Sequence, residues 1–226
     1  MTSAVDAAEV RPGRRPSTSQ AELCRVGMQL FVERGFDQTT VDDIAAAAGI
    51  GRRTFFRYFA SKNDIPWGDF DVTLDRMRRF LAELPGDVPL VEALGLAIAD
   101  FNRLEPAEAP LYRQRMTLLL TVPTLIAHST LRYAAWRQVV AEYVAARRGV
   151  AADSLEPQTI AWAFLGVSLS AYARWLRDED ADLPALMREA IRLLGSAFEP
   201  ERRTPQAGTA ASQPAASQPS AESSPG

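Results

Sequence analysis

The chain has 226 residues, 47% of them hydrophobic and 23% charged, with a formal net charge of −3, which is enough for one large or two small domains with a real core. A single cysteine (Cys24) and a single histidine (His128) exclude an internal disulfide and a multi-cysteine metal site, and leave almost no material for zinc or nucleophilic-triad chemistry. No run reaches the roughly 18 apolar residues of a membrane span, and the N-terminus lacks a signal-peptide core, so a cytoplasmic protein is expected.

Residues 1–18 carry Pro, Gly and Arg with little to bury, and are expected to be disordered. Arg14 and Arg15 are placed either to enter a minor groove as a flexible arm or to add diffuse attraction from a solvated tail. The first helix opens at Ser19, with Glu22 completing a capping box, and stops at Gly35. Leu23, Val26, Leu30 and Phe31 form its apolar stripe. Thr40 caps a second, short helix, with Asp43 at the third position. Gly49-Ile50-Gly51 is a turn, and a third short helix is expected over residues 52–59. Ser61, with Asp64 three on, caps a fourth helix expected to run unbroken to about residue 84, loosened near its start by Pro66.

Further helices are expected over residues 90–104, 107–120, 123–148, 157–177 and 183–198, separated by breaks rich in Pro, Gly and Asp. No sustained strand alternation occurs, so the fold class is all-α. Residues 200–226, with no aliphatic side chain larger than Ala, read as a disordered tail.

Charge is segregated along this chain. Residues 11–62 hold nine basic and five acidic side chains, and the remainder is net acidic. A capped short helix, a glycine turn and a second short helix is helix-turn-helix spacing, in which the second helix enters the major groove of double-stranded DNA. Arg52, Arg53 and Arg57 bring positive charge to a polyanion, and Arg is shaped to read guanine bidentately. Thr54 is small enough to reach a base edge. Phe55 and Phe59 share one face and should pack inward, whereas Tyr58 offers a hydroxyl to a phosphate. Lys62, the only lysine beside 24 arginines, stands at a helix N-terminus that already attracts anions.

The stretch "TTVDDIAAAAGIGRRTFFRYFASKNDI" resembles the DNA-binding signature of the TetR family of bacterial regulators, over about residues 19–65. The wording "GRRTFFRYFASKNDIPWGDFD" is similar to the TetR-type regulators of the mycofactocin system. The resemblance implies an N-terminal helix-turn-helix domain (residues 19–62) and a C-terminal effector-binding and dimerisation domain (residues 63–199). It implies phosphate contacts from Thr40, Tyr58 and Lys62, and base reading by Arg52, Arg53 and Thr54. Gly51 and Phe56 depart from the family pattern, which has a hydroxyl N-cap and a phosphate-binding Tyr at those positions.

The resemblance also implies a small-molecule cavity, for which Phe70, Leu74, Met77, Phe101, Tyr112, Met116, Trp136 and Trp162 are the candidate walls. Arg113, Arg115 and Arg132 are candidates either for an anionic head group or for plain surface positions. The many Leu, Phe, Met and Trp with scattered Arg suggest an acyl-CoA as effector. The last two helices are apolar on more than one face and need cover, which in the resembled family comes from a second copy in a homodimer reading a near-palindromic operator. No metal, cofactor or membrane contact is expected. Rival readings are an enzyme, which one His, one Cys and no phosphate loop disfavour, a regulator of the same fold that activates, and an interaction protein that binds acidic partners.

Overall fold

The computed structural model describes residues 18–103 and 105–196. The readings of both termini, including an arginine arm, lie outside the described residues. All regular structure among the described residues is helical: α1 (Gln20–Arg34), α2 (Val41–Ala47), α3 (Arg52–Phe55), a 3-10 helix (Lys62–Trp67), α4 (Phe70–Glu83), α5 (Leu90–Phe101), a 3-10 turn (Pro106–Glu108), α6 (Ala109–Thr121), α7 (Pro123–Arg148), α8 (Leu155–Trp175) and α9 (Leu183–Ser196).

The first two helices follow local rules. Ser19 Oγ accepts from Glu22 N at 3.1 Å, but the reciprocal half of the expected capping box is missing. Arg25, one turn on, takes both carboxylate oxygens of Glu22 at 2.7 and 3.0 Å. Gly35, at φ 86°, ends the helix by donating to Phe31 O. Thr40 and Asp43 form the full box, with Asp43 N donating to Thr40 Oγ1 and Thr40 N to Asp43 Oδ2. Gly51 starts α3 with no side-chain cap, as the absent hydroxyl requires. The regular helix is also shorter than the expected 52–59. It stops at Phe55, and tight bonds from Arg57 N to Thr54 O and Tyr58 N to Phe55 O carry the winding to Phe59.

The main departure is the fourth helix. The expected unbroken rod over residues 61–84 is two pieces. Ser61 and Asp64 make their capping box, and the chain then winds as a 3-10 helix to Trp67. Pro66 has no amide hydrogen to give to a carbonyl four residues back. Gly68 then turns the backbone left-handed, at φ 51° and ψ −126°, a region that side chains with a Cβ avoid. The helix restarts only at Phe70. Elsewhere the differences are small: α6 begins at Ala109 after its 3-10 turn, α8 begins two residues before Pro157, and Gly149 closes α7 in the αL conformation.

Two apolar clusters result. One gathers Leu23, Met28, Phe31, Ile44 and Phe55 from the first three helices and Phe59 from the turn after α3, with Ile65 from the 3-10 helix and Leu125 from α7. The other is built from α4 to α9 around Met77, Ile98, Val140, Ala161, Trp175 and Met187. The 3-10 helix joins them. Its Ile65 is fully buried, and at Gly27 of α1 an added Cβ would lie 2.8 Å from Ile65 Cδ1. The missing side chain at Gly27 is what lets Ile65 seat against α1.

Ile65→Ala is expected to cost roughly 2–5 kcal/mol of stability, read by denaturant unfolding of the full chain. A loss below about 0.5 kcal/mol, the range of an ordinary surface change, would show that this seat does not hold the two clusters together.

Candidate nucleic-acid interface and ligand cavity

The helix-turn-helix residues divide by what they touch. Phe55 and Phe59 are buried, with ring centroids 5.7 Å apart, and hold α3 to the core. Arg53 and Arg57 are exposed on the outer side of the same segment, with Thr54 half-buried between them. Arg52 is also exposed, but its Nη1 lies 2.8 Å from Asp42 Oδ2 on α2 and its guanidinium 5.4 Å from the Phe56 ring. An exposed pair of this kind contributes about 0–1 kcal/mol and is readily exchanged for a stronger acceptor. Phe56 itself is 45% exposed; where the family pattern has a tyrosine hydroxyl, this ring offers Arg52 an apolar platform.

Three residues expected at phosphates have work inside the fold. Thr40 caps α2. Tyr58 donates its only hydroxyl proton to Thr18 O at 2.6 Å, across forty positions of sequence, which ties down the chain entering α1. Lys62 Nζ donates to Phe36 O and Thr39 O, both at 2.8 Å, and sits 4.4 Å from the Phe36 ring centroid. Its ammonium thus closes the α1–α2 loop against the 3-10 helix. One of its three N–H donors is left for an anion.

The joint between the two clusters is charged. Asp64 Oδ1 receives His128 Nε2 at 2.9 Å and Arg132 Nη2 at 3.2 Å, both from α7. Arg132 Nη1 reaches on to Asp71 of α4 at 3.1 Å, so one guanidinium straddles the Pro66–Gly68 break. Burial pushes the Asp64 carboxyl up, but hydrogen bonds from His128, Ser61 and Arg132 together outweigh it and hold Asp64 below its ordinary value. Arg132 is therefore occupied by carboxylates of its own chain. Arg113 is occupied too: it donates to Trp175 O and lies 4.1 Å from the Trp175 ring centroid.

A cavity of about 400 Å³ lies beside this joint, within the range of small-molecule sites. Of the eight candidate wall residues, Phe70, Phe101, Tyr112, Met116 and Trp136 line it. Leu74 and Met77 do not; their positions on α4 place them inside the packed core. Trp162 does not either: it is 56% exposed on α8, with the Arg137 guanidinium 3.5 Å from its ring centroid. Residues that the periodicity did not single out complete the wall, including Cys24 and Met28 of α1, Trp67, Tyr133 and Tyr172.

The polar part of the wall is specific. Tyr112 donates to Tyr172 at 2.6 Å, and Tyr172 donates to Asn102 Oδ1. Burial raises the pKa of both phenols, so both stay protonated. Burial also pushes the Cys24 thiol up to about 11, which keeps it a thiol that donates to Ile65 O. Among the described residues no group of three or more His, Cys, Asp or Glu is placed to hold a metal ion, and no helix is long and apolar enough to cross a membrane.

Comparison with known proteins decides the family. Residues 23–65 match the model of the tetR family of bacterial regulatory proteins, and residues 88–199 match that of the MftR C-terminal domain. The chain is 44% identical, over 84% of its length and 96% of the relative's, to a Mycobacterium tuberculosis protein described as the mycofactocin biosynthesis transcriptional regulator MftR. The chain belongs to the TetR family. Its fold agrees with solved TetR-fold structures. The fatty acid degradation regulator FadR of Bacillus halodurans superposes with a TM-score of 0.61 at 19% identity, covering 80% of this chain and all of that one. FadR of Bacillus subtilis, in complex with stearoyl-CoA, superposes with a TM-score of 0.57 at 18% identity, covering 80% of this chain and all of that one. The first three helices are thus the DNA-binding helix-turn-helix of a TetR-type transcriptional regulator, and the relatives of this chain are regulators, not enzymes.

Two outcomes test the geometry. Lys62→Ala strands two carbonyls and should lower stability by about 2 kcal/mol, a fall of roughly 4–8 °C in melting temperature for a chain of this size; an unchanged melting temperature would reduce Lys62 to a surface charge. Asp64 has a lowered pKa, so the stability from its ionised form is present above the ordinary carboxylate value and is lost as pH falls through the lowered one. Asp64→Asn should therefore be less stable at pH 7, by about 1.5–3 kcal/mol, and show a flatter acid limb than the parent between pH 5 and pH 2. Parallel acid limbs would show that Asp64 does not carry this dependence.

Proposed function

We propose that the protein is a homodimeric, ligand-responsive repressor that binds a near-palindromic operator and leaves it when a small molecule, of the acyl-CoA class, fills the cavity. The observation that carries this reading is the shared wall. Ala21, Cys24, Arg25 and Met28 of α1 belong to the DNA-binding head and also line the cavity. A ligand there touches the head directly, with Trp67 and Gly68 of the joint beside it.

The switch follows from differential affinity. A ligand that favours one head orientation shifts the population toward it by its difference in affinity for the two states. In a dimer the relevant coordinate is the separation of the two recognition segments, which must match one helical turn of DNA. The second copy is inferred from α8 and α9. Leu155 and Trp162 on α8 and Leu193 on α9 are 84%, 56% and 50% exposed, and apolar faces of this kind call for cover. The acyl-CoA class is supported by the stearoyl-CoA complex of the similarly folded Bacillus subtilis FadR and by the apolar, arginine-bearing wall. The likeness to MftR supports mycofactocin-related genes as the targets.

On DNA, Arg53 and Thr54 meet the major groove first, with Arg57 at a flanking phosphate, and Arg52 joins the readers by leaving Asp42. Thr40 and Lys62 keep backbone contacts that follow from their structural posts, and Tyr58 acts by positioning α1.

Footprinting and fluorescence anisotropy on the DNA upstream of the protein's own gene test this. Arg52→Ala or Arg53→Ala should lose about 1–3 kcal/mol of preference between operator and unrelated DNA. Arg57→Ala should weaken binding to all sequences and lower the salt slope by about 1. Added acyl-CoA should dissociate the complex. Protection of no upstream site, or operator affinity indifferent to acyl-CoA of every chain length, would overturn the reading.

A further inference from the structure

The wall of the cavity holds buried polar atoms that have no hydrogen-bond partner among the described residues. Among the described residues four buried side-chain nitrogen or oxygen atoms lack a hydrogen bond, and three of them belong to the cavity wall: Arg115 Nε, Trp67 Nε1 and Tyr133 Oη, the last with only the Ser129 hydroxyl near it, outside good hydrogen-bond geometry. They are neighbours. The Trp67 and Tyr133 rings meet edge to face with centroids 5.8 Å apart. The Arg115 guanidinium lies over Gly68, the residue after Trp67, with Nη2 3.5 Å from where a Cβ would stand. That distance is ordinary van der Waals contact, so the guanidinium packs directly against the backbone of the joint.

The chemistry of the three is one-sided. An arginine Nε–H and an indole N–H can only donate, and a phenol can donate. Arg115 takes part in none of the ion pairs among the described residues. The other arginines of the wall are engaged: Arg25 with Glu22, and Arg76 and Arg103 with Asp100. Buried donors left unpaired are disfavoured, and a site built from them discriminates sharply for a ligand that supplies the acceptor.

We propose that Arg115, Trp67 and Tyr133 form the seat for the acyl oxygen of an aliphatic ligand, with the chain lying along Phe70, Phe101, Met116 and Trp136. The inference rests on the ligand-responsive reading above and adds which end of the ligand is recognised, and where. The oxygen has two sources, a free carboxylate or the carbonyl of a thioester. Either accepts from the three donors, and the carboxylate also neutralises Arg115. The seat adjoins Gly68, so the recognised group sits at the joint between head and body.

Isothermal titration calorimetry on the full chain without DNA tests this apart from any regulatory role, since ligand binding is read whether or not an operator is found. The probes are dodecanoate, lauroyl-CoA and dodecanol, which share chain length and differ at the head. The parent should bind dodecanoate or lauroyl-CoA at least tenfold tighter than dodecanol, and the tighter of the two names the source. Arg115→Met should remove that advantage and leave dodecanol unchanged, while Arg115→Lys restores part of it. Should Arg115→Met fail to fold by circular dichroism, Trp67→Phe, which keeps the ring and deletes the N–H, should lower the same preference several-fold. Dodecanol binding as tightly as both acyl probes, or a preference that survives in the variants, would overturn the proposal.

Discussion

Pro66 has no amide hydrogen and Gly68 holds a left-handed backbone, and between them they turn what would be a single rod into a joint. A continuous helix from Ser61 to Leu84 would transmit any displacement of the body rigidly to the DNA-binding head. A 3-10 segment and a restart at Phe70 instead leave the relation between the two parts to side chains. The seat of Ile65 against Gly27 supplies the apolar half of that relation. Asp64 supplies the charged half by receiving His128 and Arg132 from α7.

These two halves differ in kind. The apolar seat depends on shape and resists change, because a packed core has few alternatives. The charged half is made of half-buried groups whose geometry can be exchanged for other partners, and one guanidinium spans both sides of the break to Asp64 and Asp71. A head held firmly by packing at one point and adjustably by ion pairs at another is suited to rotation between two positions. The cavity adjoins the adjustable side. Its wall runs from α1 through Trp67 and Gly68 to α6, α7 and α8, so a molecule bound there would touch both sides of the joint.

The same economy of polar groups marks the DNA-facing surface and the cavity. On the head, Thr40, Tyr58 and Lys62 are already committed to the fold by a cap, a backbone carbonyl and a loop closure. The side chains of that segment that the fold leaves uncommitted are Arg53, Thr54 and Arg57, with Arg52 lightly held by Asp42. In the cavity the Tyr112–Tyr172–Asn102 chain is satisfied internally, and the donors of Arg115, Trp67 and Tyr133 are the ones left over. In both places the residues proposed for recognition are those whose hydrogen-bonding capacity the fold does not use.

The amino-acid sequence by itself determined what depends on neighbours within about four residues. Helical period, the Thr40–Asp43 and Ser61–Asp64 caps, the uncapped start at Gly51 and the inward pair Phe55 and Phe59 were all legible, because local hydrogen bonds and side-chain spacing have fixed geometry. The basic N-terminal segment and the helix-turn-helix spacing pointed to DNA for the same reason, and the resemblance of the stretch from Thr39 to Ile65 pointed to the family. Where two local signals competed, the reading failed: Pro66 and Gly68 broke a helix that its good cap and later periodicity favoured. Only the tertiary structure decided the fate of long polar side chains. Arg113, Arg115 and Arg132 look alike along the chain, yet one meets backbone carbonyls near Trp175, one spans two carboxylates and one faces the cavity without a partner. Likewise Leu74 and Met77 proved to be core while Tyr172 and Cys24 proved to be wall. Each outcome rests on a partner tens of residues away, and a long flexible side chain reaches several such partners equally well until the packing of the helices selects one.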